Sequence, residues 1–566
     1  MGNEENDVPP IDAGLPEITP EAVAAGAALS GRMVAPEHLP LMAELLPESR
    51  RRLMMLRASA LKEGEAPALH FAPTSGRSPG PERGPRRRTP IVHTPGVRWN
   101  RRPMPRWNGS EEALAFLPAA DLARLLRAGR VTSRTLTEMY LARLKRYGPD
   151  LNCVVSLVPD GVALAAADRA DREIAAGEWR GPLHGLPYGA KDLFATRGLP
   201  TTWGVEPYRE RVIDADATVI GRLEDAGAVL VSKLSLGELA MGDVWFGGLT
   251  RNPWKREDGS SGSSAGSGSA VAAGLVAFAL GTETWGSIVS PCVVCGTTGL
   301  RPTFGRVPRT GAMALAWSMD KIGPIARGVE DCALVLGAIA GPDGVDATVT
   351  ADEAAFRWGA GRGDLAALRV GIDVASFDAL RADEKRKGNL PVYEDAVATL
   401  EGLLGRALVP VRLPEMRPEY EALPMTIIGV EGAASMEPLI ASGGMDRLAQ
   451  QERHSWPNTF RLAATVPATE YLQAQRLRAH LQREFADAVQ AVDVYVTVPR
   501  CGHSLLYTNL TGHPEVVTRC GRTGDGLPLS LSLVGALYRE DAALALAYAF
   551  ERATPWHREW PRGYGA

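Results

Sequence analysis

Hydrophobic and polar positions divide the 566-residue chain into three zones. In the first, residues 1–62, Leu39, Met42, Leu45 and Leu46, then Leu53, Leu56 and Leu61, recur at roughly helical spacing. Thr19 or Pro20 starts one helix that ends near Gly31; Pro36 starts a second, with Pro47 as a candidate break. The second zone, 63–109, loses this periodicity and fills with Pro, Gly and Arg, as in Ser78-Pro79-Gly80-Pro81 and Pro85-Arg86-Arg87-Arg88. Such composition predicts an extended connector without a core of its own.

The third zone, 110–566, alternates between two periods. Residues 117–147 predict two helices, with Thr132 or Ser133 capping the second. Runs at 229–232, 368–372, 408–411 and 492–498 are short and apolar and read as buried strands. Helical patterns at 392–404 and 469–489 lie between them. The interleaving predicts an α/β fold: a large mixed, mostly parallel central sheet flanked by helices, with an N-terminal helical extension.

Charge narrows the function. The formal net charge is -4, so there is no basic excess of the kind that grips nucleic acid. Within the 62 basic residues, eight are lysines and 54 are arginines. Each lysine therefore invites the question why arginine was not used, because only lysine can lose its proton when desolvated. Six cysteines make no disulfide framework, and the Cys292–Cys295 pair has no second pair at zinc-like spacing, so it reads as two packed thiols. The nine histidines form no HExxH, and no metal is expected. Residues 1–10 carry no export pattern, and the most apolar run, 270–280, is too short to span a bilayer. These features predict a soluble, cytoplasmic protein with no membrane partner.

Candidate chemistry begins at 181–191, where a Gly/Pro-rich path ends in Lys191-Asp192. Residues 259–270 read GSSGSSAGSGSA and open directly into an apolar segment, which suits a structured turn better than a loose linker. A second small-residue turn follows, Gly281-Thr282-Glu283-Thr284-Trp285-Gly286-Ser287. Two serine-bearing turns and a scarce lysine suggest nucleophilic catalysis with lysine as base, since a serine hydroxyl attacks poorly until its proton is taken. A competing pattern is the nucleophile elbow: Gly262-Ser263-Ser264-Ala265-Gly266 matches GxSxG, with Ser264 as nucleophile and His503 or His513 as base. An elbow needs a preceding strand, and the polar run 255–258 does not read as one.

At these residues the chain resembles the amidase signature family. The likeness rests on 181–187 with Lys191-Asp192, the serine–glycine block, 281–288, Gly299-Leu300-Arg301-Pro302-Thr303-Phe304-Gly305, Ser318-Met319-Asp320 and Asn509-Leu510-Thr511-Gly512. It covers about 117–552. The resemblance implies a Ser–cisSer–Lys triad in which Lys191 is the base, Ser263 the bridging serine after a cis peptide bond, and Ser287 the nucleophile. It further implies an oxyanion hole from the backbone N–H groups of Thr284, Trp285, Gly286 and Ser287. Trp285 and Ser264 are the candidate substrate contacts, Trp285 either as a wall of the acyl pocket or as a space-filling ring. No cofactor is implied. The expected activity is hydrolysis of a small-molecule amide, with a carbamate or ester as the alternative substrate. Two further readings are a non-enzymatic scaffold and an amidotransferase subunit.

Three departures bear on the site. The family usually has Asp where Glu283 stands, Gly where Trp285 stands and Arg where Val289 stands, which implies an altered charge pair beside the nucleophile. The N-terminal zone weakly resembles the small helical subunit that accompanies the family's member in the tRNA-dependent amidotransferase. That likeness implies that residues 1–110 wrap the catalytic domain in cis; a helical segment for solvation or for a homodimer is the other reading.

Overall fold

A computed structural model of the protein describes residues 17–29, 34–59, 61, 67–69, 97–98, 103–105, 107–349, 356–359 and 365–565. The Pro/Gly/Arg run at 78–88, expected to be an extended connector, lies outside them.

The leucine spacing near the N-terminus yields helices Pro20–Leu29 and Leu39–Ala58, the second preceded by a short 3-10 turn at Pro36–His38. Leu39–Ala58 runs through Pro47 unbroken. Pro47 is on the exposed side of the helix, where the carbonyl it leaves without a donor can turn to water. Val23, Met42 and Leu45 are buried with Leu462 in one apolar cluster, each such side chain contributing roughly 1.5–3 kcal/mol. Contacts define a compact unit of Met1–Leu69, Leu315–Trp317 and Pro414–Glu484, in which Leu39–Ala58 packs on helices Pro418–Ser435 and Trp456–Ala463.

The second unit, His70–Ala314, Ser318–Leu413 and Phe485–Ala566, is built on an 11-stranded sheet. In chain order the strands are β1 Val154–Leu157, β2 Pro187–Lys191, β3 Val229–Leu234, β4 Phe278–Glu283, β5 Thr298–Arg301 and β6 Lys321–Ala326. They continue with β7 Val370–Asp373, β8 Val409–Val411, β9 Val494–Thr497, β10 Glu515–Arg522 and β11 Pro528–Gly535. Their spatial order is β8-β7-β9-β11-β10-β5-β6-β4-β2-β3-β1. All four strands expected from apolar runs are present, as are helices Leu390–Leu404 and Ala468–Val489. Thr132 caps helix Ser133–Leu151 by accepting from the Thr135 N–H.

The expected large mixed sheet flanked by helices is thus present, and its strand direction alternates more than helix–strand interleaving alone implied. Parallel pairing joins β2 to β3 and β4, and β7 to β8 and β9. From β4 through β6, β5, β10 and β11 to β9 every neighbour is antiparallel. One pair, β10 and β11, is a hairpin around Asp525-Gly526, where Gly526 has φ +82. This topology sets the site. The ends of β2, β4 and β5 and the starts of β6 and β10 fall on one edge of five consecutive strands, and those terminal residues are Lys191, Glu283, Arg301, Lys321 and Glu515.

Candidate active site

Lys191 ends β2 and is wholly buried. Its Nζ donates to Ser263 Oγ at 2.8 Å, Thr282 Oγ1 at 2.9 Å and Ser264 Oγ at 3.1 Å. Burial draws the Lys191 ammonium down to about 7, against the pull of the Asp320 and Glu283 carboxylates. A lysine surrounded by hydroxyls, with no carboxylate in contact, can exist neutral near neutral pH and accept a proton.

Ser263 follows a cis Gly262–Ser263 peptide bond, the feature the resemblance implied at this position. The serine–glycine block is ordered: Ser264 precedes helix Ala265–Ala272, which is buried along its whole length. The glycines allow this packing, since a Cβ on Gly262 would fall 1.7 Å from the Gly242 carbonyl oxygen and one on Gly266 2.5 Å from that of Cys153.

Ser287 lies in the turn after β4, and its carbonyl accepts from the Ser264 N–H at 3.1 Å, tying this turn to the residue after Ser263. Ser287 is 8% exposed while Ser263 is 1% exposed, so of the two it is Ser287 that opens toward solvent. Among the described residues, the backbone N–H groups of Trp285, Gly286 and Ser287 meet no protein acceptor. Trp285 is 39% exposed. Thr284 is fixed by its hydroxyl, which donates to Asp320 Oδ1 at 2.5 Å, and by its carbonyl, 3.4 Å from Lys321 Nζ.

Glu283, where the family usually has Asp, is paired with a cation from strand β5. Glu283 Oε1 accepts from Arg301 Nη1 at 2.7 Å and Asn509 Nδ2 at 2.8 Å. Its Oε2 accepts from the Ile288 N–H at 2.8 Å and the Val289 N–H at 2.9 Å. Burial alone would raise this carboxyl, but Arg301 and Lys321 hold it at about 2. Arg301 also lies 3.0 Å from Glu515 Oε2, and Asn509 Oδ1 accepts from Lys321 at 2.9 Å.

Two expectations need correction. Residues Lys255–Gly259 do form a strand, paired antiparallel with Arg251–Asn252. The ribbon is exposed through Asp258, so it needs no apolar pattern and shows none. The elbow nevertheless fails at Ser264. A hydroxyl has one proton to donate and two acceptor sites, and Ser264 uses all three: it accepts from Lys191 Nζ and the Thr282 N–H, and donates to the Thr282 carbonyl. These bonds hold the Ser264 hydroxyl within the protein and speak against it as nucleophile or substrate contact. His513 pairs instead with Thr511, and burial and Arg301 pull it down to about 3.

The sequence pattern missed Thr282, Asp320, Lys233 and Arg301 as parts of the site. Lysine scarcity was the available signal for Lys233 and Lys321, both buried; Arg301 stood in the segment 299–305 that carried the resemblance but was given no role. Lys233, on β3, lies 2.9 Å from Asp192 Oδ1. Cys292 and Cys295 are buried and unbridged, and burial pushes the Cys292 thiol up to about 12. Among the described residues, no cluster of His, Cys, Asp and Glu is arranged to hold a metal, and no helix is long and apolar enough to cross a membrane.

Comparison with known proteins places the chain in a family. A family model described as Amidase matches residues 135–504. A glutamyl-tRNA(Gln) amidotransferase subunit of Roseiflexus sp. (strain RS-1) is 35% identical over 487 residues, covering 79% of this chain and 98% of the relative. The corresponding protein of Chloroflexus aurantiacus is 36% identical over 482 residues, covering 77% of this chain and 96% of the relative. The solved peptide amidase from Stenotrophomonas maltophilia superposes with a TM-score of 0.67 at 32% identity, covering 77% of this chain and 96% of that one.

Proposed function

The chain belongs to the Amidase family, whose enzymes act on carbon–nitrogen bonds, and from that premise we propose that it hydrolyses a small-molecule amide through an acyl-enzyme on Ser287. The observation that carries this reading is Lys191, wholly buried, bonded to Ser263 at 2.8 Å and drawn down to about 7 by burial. Ser287 Oγ attacks the carbonyl carbon as its proton passes to Ser263, whose own proton passes to neutral Lys191. The N–H groups of Thr284, Trp285, Gly286 and Ser287 receive the oxyanion, an effect of roughly 3–4 kcal/mol for one such donor. The tetrahedral adduct collapses, the C–N bond breaks, and the relayed proton leaves on the amine. Water then attacks the ester, giving the acid and restoring the Ser287 hydroxyl. Every proton lost is returned, and no cofactor enters. Trp285 forms an apolar wall beside the acyl group. A carbamate or an ester passes through the same steps.

A second reading rests on the relatives themselves. The amidotransferase relative is by its name one part of a larger enzyme, and the likeness runs over nearly its full length. In that role, this chain would release ammonia from glutamine for a partner. The likeness to a peptide amidase supports the hydrolase reading beside it.

Intact-mass labelling with a fluorophosphonate separates these possibilities from the elbow. One adduct on the wild type, lost in Ser287→Ala and kept in Ser264→Ala, is expected; loss only in Ser264→Ala would refute the mechanism. Turnover of simple amides by the chain alone supports the hydrolase. Glutamine cleavage that requires partner proteins supports the second reading.

A further inference from the structure

Five neighbouring strands, β10, β5, β6, β4 and β2, each place a charged residue at the same edge of the sheet: Glu515, Arg301, Lys321, Glu283 and Lys191. The register makes this a row, since Arg301 pairs with Glu515 and Lys321 with Glu283 across antiparallel ladders. All five are buried. Buried charges are costly unless paired and hydrogen-bonded, so a row of them needs a reason beyond stability.

Glu283 is the member from which the nucleophile turn departs. One carboxylate oxygen is held by Arg301 and Asn509; the other takes the Ile288 and Val289 N–H groups, just past Ser287. The carboxylate therefore closes the loop 284–287 on itself, joining its start to its end. Asn509 adds a second tie, because its amide oxygen accepts from Lys321, whose ammonium also reaches the Thr284 carbonyl. With valine at 289, no cation arises from within the turn itself, and Arg301 supplies the charge from the neighbouring strand β5.

We propose that Glu283 is a positioning residue: anchored by Arg301 and Asn509, it fixes the 284–287 turn so that Ser287 and the oxyanion N–H groups are held in register. This rests on the Ser287–Lys191 reading above. The charged groups facing Lys191 are Glu283 on β4 and Asp320 ahead of β6, and its direct partners are the hydroxyls of Ser263, Ser264 and Thr282. The groups facing Glu283 are Arg301, Lys321 and, on the far side of Arg301, Glu515.

Two substitutions separate reach from charge. Glu283→Asp keeps the charge and shortens the arm; Glu283→Gln keeps the shape and removes the charge. The readout is the rate constant and half-saturation of fluorophosphonate labelling, followed by intact mass from pH 5 to 9, with Ser287→Ala as control. In Glu283→Asp the maximal labelling rate falls on the order of 10- to 100-fold with half-saturation little changed, and the acid limb stays in place. In Glu283→Gln the rate also falls, and the limb moves to lower pH by roughly half a unit, because a charge that favours protonated Lys191 is gone. Wild-type labelling rates in Glu283→Asp or in Glu283→Gln overturn the proposal. If Glu283→Gln does not fold, Glu283→Asp alone decides it. Labelling retained in Ser287→Ala, or absent from the wild type, overturns the underlying reading and this inference with it; a failure of the Glu283 variants alone leaves that reading standing.

Discussion

Lys191 and Lys233 stand on adjacent parallel strands and are both wholly buried, yet they meet opposite surroundings. Lys191 meets three hydroxyls within 3.1 Å and no carboxylate. Lys233 lies 2.9 Å from Asp192 Oδ1 and donates to the Phe194 carbonyl at 2.9 Å and to Thr201 Oγ1 at 3.1 Å. Burial lowers both ammonium groups; for Lys233 the adjoining carboxylate opposes that shift by charge and by hydrogen bond. Asp192 is anchored in turn by the Thr202 N–H at 2.9 Å and the Thr202 hydroxyl at 2.5 Å. Burial by itself therefore does not make a base. A buried lysine becomes one when its partners accept hydrogen bonds without bringing a full negative charge into contact.

The contrast is most sharply tested by exchanging the fates of the two residues. Lys191→Ala, and equally Lys191→Arg, which keeps the charge but cannot lose the proton, should lower kcat on the order of 10^4-fold. Lys191→Ala introduces no unpaired buried charge, so its urea midpoint should change far less than its rate; Lys191→Arg buries a guanidinium with no carboxylate in contact and should lower the midpoint as well. Lys233→Ala strands Asp192 without its cation and should cost about 3–5 kcal/mol of stability, read as a lowered urea midpoint. Stability and rate profiles that coincide for the two variants would remove the distinction.

Protonation offers a finer test. Lys191 accepts a proton only when neutral, and its folded-state value of about 7 lies below the ordinary 10.5. The competent fraction therefore grows as pH rises through 7, so kcat/KM should fall about tenfold per unit well below that limb and level off above it. A limb near pH 10 would mean that burial does not depress this lysine. The smallest effect is expected from Thr282→Val, which removes the hydroxyl 2.9 Å from Lys191 Nζ. Losing one acceptor of the charged form should move the limb slightly lower and reduce the rate several-fold, in line with a hydrogen bond of about 1 kcal/mol.

Much of this was legible along the chain, for identifiable reasons. Strands such as Val229–Leu234 and Val494–Thr497 bury nearly every side chain, so they appear as mostly apolar runs. Lys255–Gly259 is just as much a strand but lies exposed, and exposure erases the pattern by which a strand is recognised. The turn glycines and serines were visible because tight backbone approach demands them, as at Gly262 and Gly266. Pro47 misled because a helix tolerates proline where its freed carbonyl faces water.

Sequence by itself determined the apolar strands and helices, the ordering of the serine–glycine turns and the scarcity of lysine that singles out Lys191. These are local properties, set by the backbone needs and side-chain chemistry of each residue. Tertiary structure alone decided which lysine meets hydroxyls and which meets a carboxylate. It also exhausted the bonding capacity of Ser264, and it brought Arg301 and Asn509 to Glu283 from 18 and 226 residues away. Coulomb and hydrogen-bond energies depend on distance through space, and a folded sheet brings strand ends together regardless of how far apart they lie along the chain.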